Sequence, residues 1–282
     1  MIDLLTLISD RHMEAHSSIV LTYALDLVLY DGFLRRQLRT AGAKNQIVFC
    51  DGGCYETELS KIEVARQMGR SYSCTPVHHE AAFHPKVYLL LGAHRGRLLL
   101  GSGNATLGGL TRNAELFGVF DFDDQRDTGP HPAFVAIVSM IQRLSQSSSS
   151  LVRLQLERAI ARSPWLKRVP VDDARTVLVS GPGIRSMLDQ IRETIGPAPL
   201  DDLLVCSASF DRQLIGLERL AQLTKSGQIT CLVQPGQTTI DGVAVKKLGR
   251  KVRWRQVTLR HLRHKTDSGE IFCHAKLLVM GR

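Results

Sequence analysis

No stretch of this sequence holds the roughly 18 uninterrupted apolar residues of a membrane span. The N-terminus, MIDLLTLISDRHMEAH, lacks the basic n-region and long apolar core of a signal peptide. These absences point to a soluble, cytoplasmic protein. Cysteine is sparse, six in 282 residues, and Cys50, Cys54, Cys74, Cys206, Cys231 and Cys273 mostly sit in apolar runs. Without an export signal, buried thiols are expected rather than a disulfide framework. Cys50-x3-Cys54 and Cys74-x3-His78 approach zinc spacing, but Cys50 ends an apolar run and C-x3-C is not the usual knuckle, so no metal is assigned. His78-His79 beside Glu80 reads as an exposed polar loop. Gly181-Pro182-Gly183 lacks a following Gly-Lys-Ser/Thr, which excludes a P-loop and leaves a turn into the helical IRSMLDQI.

Acidic residues are the next shortage. The net charge is +9, from 36 Lys and Arg against 27 Asp and Glu, and such a surplus favours a polyanionic partner. It is concentrated in residues 246–265, KKLGRKVRWRQVTLRHLRHK, where nine residues are basic and none is acidic. Lys246, Lys247, Arg250, Lys251, Arg253, Arg255, Arg260 and Arg263, with Trp254 interleaved, suit a strand that follows a phosphate backbone.

What is present is a repeat. SSIVLTYALD ends at Asp26, basic and amphipathic GFLRRQLRTAG reads as a helix stopped by Gly42, and NQIVFCDGG reads as a buried strand. The same β-α-β order returns in DDLLVCSASFD, RQLIGLERLAQLTKSG and GQITCLVQPG. Asp26 to Asp211 is an offset of 185, and Asn45 to Gly227 one of 182, as an internal duplication requires. Between the copies lies SQSSSS, residues 145–150, flanked by helical PAFVAIVSMIQRL and LVRLQLERAIARS. Its composition suits a flexible connection and places the expected domain boundary near residue 150, giving halves 1–150 and 151–282.

Each half closes on the same kind of strand: FHPKVYLLL with His84 and Lys86, and FCHAKLLVM with His274 and Lys276. Residues i and i+2 of a strand share a face, so each pair presents imidazole and ammonium together. His84 to His274 is an offset of 190, in register with the repeat. After a plausible hairpin at Gly92–Gly96 comes Gly101-Ser102-Gly103-Asn104, a small-residue turn whose backbone N–H groups, with Ser102 and Asn104, can approach a phosphate. Glu115 opens an apolar strand, where an unpaired carboxylate is costly, and a His partner would explain it.

The run from His84 through GSGN to Glu115 resembles the phospholipase D superfamily, whose pattern is His-x-Lys, Gly-Ser-x-Asn and then an acidic residue. The resemblance covers most of residues 15–125 and 200–282. It implies two α/β halves, each a mixed sheet flanked by helices, related by a pseudo-twofold axis around a shared phosphate cleft. It also implies phosphodiester cleavage through a phosphohistidine, with no metal or cofactor. His84 would be the nucleophile, Glu115 would hold its Nδ1 proton, and His274 would be the acid; Lys86, Lys276, Ser102 and Asn104 would hold the phosphate. The Asp that often follows the Lys is absent, with Leu91 and Gly281 in its places. Lipid-cleaving members usually keep it, while tyrosyl-DNA phosphodiesterases and certain metal-independent restriction enzymes do without it. The sequence stops eight residues after His274, before a second Gly-Ser-x-Asn turn, so a fragment or an incomplete second half-site is expected. The expected activity is that of a nuclease, on DNA more than RNA, in a restriction, phage-defence or helicase-linked context with an ATPase partner or fused domain. A phospholipid-cleaving or transphosphatidylating enzyme and a silent nucleic-acid-binding module are the alternatives.

Overall fold

Alternation at period two governs the larger sheet. In β1 (Ala15–Thr22), β2 (Asn45–Asp51), β3 (Ser73–Val77), β4 (Val87–Gly92), β5 (Arg95–Gly101) and β6 (Phe117–Asp123), side chains divide between two apolar clusters. Val20, Val48, Tyr88, Leu90 and Leu99 enter one; Ile19, Leu21, Ile47, Phe49, Leu89 and Leu98 enter the other. A sheet covered on both faces needs nearly continuous apolar strands, and IVFC, VYLLL and RLLLG supply them. The strand order is β3-β2-β1-β4-β5-β6, with β1 to β3 mutually parallel and β4 to β6 antiparallel. The computed structural model describes residues 4–80, 82–126, 131–168, 177–181, 184–258 and 271–282. It divides into unit 1, Met1–Thr111 with Phe117–Val179, and unit 2, Arg112–Leu116 with Ser180–Arg282.

In unit 1, α1 (Leu4–Ile8) and a helical run from α2 (Leu27–Leu29) through a π turn to α3 (Arg35–Thr40) cover one face. Asp26 starts the run by accepting from Leu29 N at 2.9 Å. Tyr30, Leu34 and Leu38 are fully buried, each worth about 2 kcal/mol of transfer energy. Gly42 ends it as expected: its φ is +103°, and a Cβ there would collide with the Ala15 carbonyl. After β2, Gly52 and Gly53 open α4 (Gly52–Glu58), capped by Asp51, rather than closing a turn.

α5 (His131–Ser145) and α6 (Ser150–Ala161) cover the opposite face through Phe134, Ile137, Val152 and Leu156. The boundary expected near residue 150 is therefore corrected to the break at Val179/Ser180. The serine run is a tight helix–helix turn, not a flexible connection. Ser149 caps α6 by accepting from Val152 N, and Ser148 is buried.

Unit 2 repeats the first four strands. β7 (Asp202–Cys206), β8 (Ile229–Val233), β9 (Val252–Gln256) and β10 (Leu277–Gly281) lie in the order β10-β7-β8-β9, the counterpart of β4-β1-β2-β3. Registers agree as well: Leu21 pairs antiparallel with Val87, and Cys206 with Leu277, at the offsets of 185 and 190 met in the sequence. α7 (Met187–Ile195), α8 (Ile215–Ala221) and α9 (Gly242–Leu248) complete the unit, and Leu214, Leu217, Ala244 and Leu248 pack on Leu203, Val205 and Cys231. The fold is mixed α/β, two sheets of shared topology flanked by helices. Among the described residues no helix is long and apolar enough to cross a membrane.

Candidate active site

The first half-site forms where β1 ends and β4 begins. Thr22 closes β1 with a tight turn, donating from Oγ1 to the Ala24 carbonyl at 2.7 Å and accepting from Ala105 N at 3.0 Å. Asn104 Oδ1 accepts from Ala24 N at 3.3 Å, so the GSGN turn is fastened to the end of β1. Gly103 is required there, since a Cβ would strike the Gly109 carbonyl and the Phe117 ring. Ser102 is buried in this turn. The segment before β4 is clamped by Asp51, whose Oδ2 accepts from Phe83 N at 2.9 Å. That clamp presents His84 exposed and Lys86 buried. Lys86 Nζ lies 2.8 Å from His84 Nδ1 and 3.3 Å from Nε2.

Tyr23 completes the group and was not anticipated. Its ring lies 4.5 Å from that of His84 and 5.6 Å from the Lys86 ammonium, close enough for stacking and cation–π attraction. A hydrogen bond with Cys54, then the thiol's charge, burial and Asp51, hold its phenol above the usual range. Its only sequence signal was its place one residue beyond β1.

The second half-site, within unit 2, uses different residues for the same task. Gln234, 3% exposed, follows β8 as Asp51 ends β2. Its Oε1 accepts from Cys273 N and its Nε2 donates to the Ile271 carbonyl, both at 2.7 Å. Phe83 and Cys273 each immediately precede the histidine, so both units clamp the same N–H. Ser207 repeats the Thr22 turn by donating to the Ser209 carbonyl at 2.8 Å.

Glu115, expected to hold the Nδ1 proton of His84, has both its oxygens 3.0 Å from Nδ1 of His274. Residues 112–116 belong to unit 2, where Ala114 pairs with the motif segment: its N–H donates to the Phe272 carbonyl at 2.8 Å, and its carbonyl accepts from His274 N and Ala275 N at 3.1 Å. Asn113 Nδ2 also donates to Glu115 at 3.1 Å. A carboxylate here accepts a hydrogen bond from Nδ1–H of His274, which favours the tautomer that leaves Nε2 for chemistry. Lys276 Nζ lies 3.3 Å from that Nε2. Although Lys276 is exposed as a residue, desolvation lowers its pKa, with Glu115 pulling the other way.

The basic stretch is placed in part. Lys246 and Lys247 end α9, and Arg250 follows, all exposed. Lys251 pairs with Glu218 at 2.6 Å. Arg253 and Arg255 are exposed on β9, at the edge of the sheet. Trp254 corrects the expected interleaving. It points the other way, into the unit 2 core and edge-to-face with Phe210, so its ring serves packing rather than base stacking. Arg260 and Arg263 lie outside the described residues. The cysteines flagged for zinc spacing are free thiols; Cys50 and Cys74 approach to 3.8 Å, and their hydrogen bond, then burial, keeps the Cys74 thiol far above its usual pKa.

No family model matches the chain, and no curated protein matches its sequence. Solved structures do. The polyphosphate kinase of Porphyromonas gingivalis superposes with a TM-score of 0.50 at 11% identity, over 98% of this chain and 41% of that one. The chain thus spans less than half the length of that enzyme. A histidine-to-arginine mutant of yeast tyrosyl-DNA phosphodiesterase 1 superposes with a TM-score of 0.50 at 12% identity, over 89% of this chain and 69% of that one. Both proteins are phospholipase D superfamily members. With the same strand order in each unit and a His-x-Lys motif entering each antiparallel strand, the chain has the fold of the phospholipase D superfamily.

Proposed function

We propose that the protein is a phosphodiesterase acting on nucleic acid, DNA more readily than RNA, by way of a phosphohistidine. The observation that carries the reading is that each unit delivers one imidazole with one lysine ammonium from the same register position. The two imidazoles also have unlike partners: His84 is flanked by Lys86 and Tyr23, His274 by Glu115. In this reading both half-sites serve one phosphodiester. Lys86, Lys276, Ser102 and the Asn104 amide hold its oxygens, offsetting the charge that makes phosphorus hard to attack. His84 forms the N–P bond as the ester P–O bond breaks. His274 enters as the imidazolium, its Nδ1–H held by Glu115; it gives its Nε2 proton to the leaving oxygen and, now neutral, takes one back from the water that hydrolyses the phosphohistidine. The exposed cations of α9 and β9 would lie along the nucleic-acid backbone, and a restriction, defence or helicase-linked setting remains part of the proposal.

The test is covalent trapping. Incubated with a 32P-labelled oligonucleotide and quenched in alkali, which preserves phosphohistidine, the wild type should retain label and His84→Ala should not. Label on His84→Ala, or a wild type that cleaves DNA with no labelled intermediate, overturns the mechanism. DNA affinity should fall with added salt, and more shallowly in an R253E/R255E variant, because fewer counterions are displaced. An unchanged salt slope removes β9 from the interface.

A further inference from the structure

At the end of the unit 1 sheet opposite the histidine motif lies a cavity of about 740 Å³. His84 and Asn104 stand where β1 ends; the cavity is lined by His16 and Ser17, where β1 begins, and by Asn45 and Ser73, which begin β2 and β3. Six residue-to-residue rises along the strand separate His16 from Thr22, a run of about 20 Å. The cavity is therefore a separate feature.

Its charge is one-sided. Arg39 from α3, Lys44, Arg70, Arg158 from α6 and Arg162 line it, and no lining residue is acidic. None of the five makes an ion pair among the described residues, whereas Arg97, Lys225 and Lys251 elsewhere all do. A concave wall of one sign focuses its field inward and raises the local concentration of anions. The floor is polar, neutral and mostly fastened down. Asn45 Nδ2 donates to Ser17 Oγ at 3.1 Å and to the Gln155 carbonyl at 2.9 Å, and Ser73 Oγ donates to Gln155 Oε1 at 2.7 Å. Ser17 Oγ also meets the buried His16 Nδ1 at 2.9 Å. Among the described residues Asn45 Oδ1 and Gln155 Nε2 make no hydrogen bond, and they offer one acceptor and one donor to a neutral group. Both belong to side chains already fixed by other hydrogen bonds, so engaging a ligand costs little ordering entropy.

We propose that this cavity binds a nucleotide-sized ligand bearing two or more adjacent phosphates, with the cationic rim holding the phosphates and the Asn45–Gln155 floor meeting the uncharged part. The volume is that of a small-molecule site rather than of a groove for a strand. Five unpartnered cations exceed what one phosphate would neutralise. The site is independent of the proposed phosphodiesterase chemistry.

Isothermal titration of the full chain with ATP, and separately with inorganic tripolyphosphate, tests it. Wild type should bind ATP one-to-one and tripolyphosphate should displace it. Arg158→Glu and Arg70→Glu should each weaken ATP binding roughly tenfold or more, through loss of a charge-assisted contact. Arg158→Gln provides a milder variant should a charge reversal disturb α6. His84→Ala should bind ATP as wild type does, which separates this site from the first half-site. The proposal is overturned by absence of saturable binding, by equal affinity in Arg158→Gln and wild type, or by loss of binding in His84→Ala. It is also overturned if a single-stranded 20-mer binds in an Arg158-dependent way that ATP does not compete for, which would make the cavity part of a strand-binding surface.

Discussion

Two sheets that share four strands in one order surround the strand behind the histidine motif very differently. In unit 1, β4 is covered by β5 and by helices on both faces, and Val87, Leu89 and Leu90 are 4%, 1% and 0% exposed. Their register counterparts in β10, Leu277, Val279 and Met280, are 39%, 50% and 44% exposed. The lysines follow suit, Lys86 buried and Lys276 exposed. Yet each histidine stands at the same register, behind the same turn and a clamped N–H. The half-site is therefore built by three local devices: the β1–β4 or β7–β10 register, the Thr22 or Ser207 turn, and the Asp51 or Gln234 clamp. Burial of the surrounding sheet stabilises the unit without setting that geometry.

If this division holds, the largest effects belong to the histidines themselves. His84→Ala should remove cleavage altogether. His274→Ala should lower it by about 10²–10⁴-fold, as for loss of a general acid, while still forming the phosphohistidine from a substrate with a good leaving group. Glu115→Gln should cost roughly 10–100-fold, slowing formation of the intermediate from a poor leaving group and also its breakdown, since His274 acts in both. Rapid-quench measurement of intermediate formation and breakdown distinguishes these. A Glu115 variant that forms the intermediate slowly even from a good leaving group, yet breaks it down at the normal rate, would assign the carboxylate to His84.

Stability should be asymmetric between the units. Arg97 on β5 has no counterpart among the described residues of unit 2. It is buried, forms a bidentate pair with Asp121 at 2.6 and 3.0 Å, and reaches Asp10 at 3.1 Å. Arg97→Ala should cost unit 1 about 2–3 kcal/mol, less than the ~3–5 of a fully buried pair because Asp121 remains half exposed. Hydrogen exchange should show the loss at β1 amides and leave β7 amides unchanged. Equal loss in both would mean that the units do not unfold separately. Below this come the clamps: Asp51→Ala and Gln234→Ala should each cost about 1–2 kcal/mol and slow cleavage by loosening the histidine segment. Asp51→Ala should cost more, since Asp51 also caps α4 through Gly53 N and Cys54 N.

Much of this was legible in the sequence because it rests on residue type at fixed spacing. The strands, the Gly42 stop and both His-x-Lys pairs follow from periodicity and local hydrogen bonding. The clamp was hidden because Asp51 and Gln234 share a task but not a chemistry, and only strand register aligns them. The contact of Glu115 with His274 was hidden because nothing local shows that residues 112–116 pair with 272–275. Trp254 was read as a stacking ring because alternating basic residues suggest exposure, whereas period two puts the intervening ring inward. The serine run misled for a similar reason: its composition says flexible, but one serine at the right position is a helix cap.

The smallest expected effect contrasts the starts of the two first strands. His16 in β1 occupies the register position of Asp201, just before β7, which is exposed and paired with Lys225 at 2.7 Å. Burial, then the charge of Arg162, depresses the His16 pKa, partly opposed by its hydrogen bond to the Arg162 carbonyl. A histidine depressed on folding takes up its proton more readily in the unfolded chain. Its contribution is constant above the unfolded value of about 6.5 and declines as pH falls through 6.5 towards the folded value. Unit 1 should therefore have a lower urea midpoint at pH 5.5 than at pH 7.5, followed through buried Trp165 in a Trp254→Phe background. His16→Gln, which cannot protonate in this range, should flatten that difference even if it lowers both midpoints by disturbing the Ser17 and Ser163 contacts. An equally steep pH dependence in His16→Gln would place the acid sensitivity elsewhere in unit 1. Saturating ATP, if bound by the neighbouring cations, should shrink the wild-type difference, because an anion beside His16 favours its protonated form in the folded state.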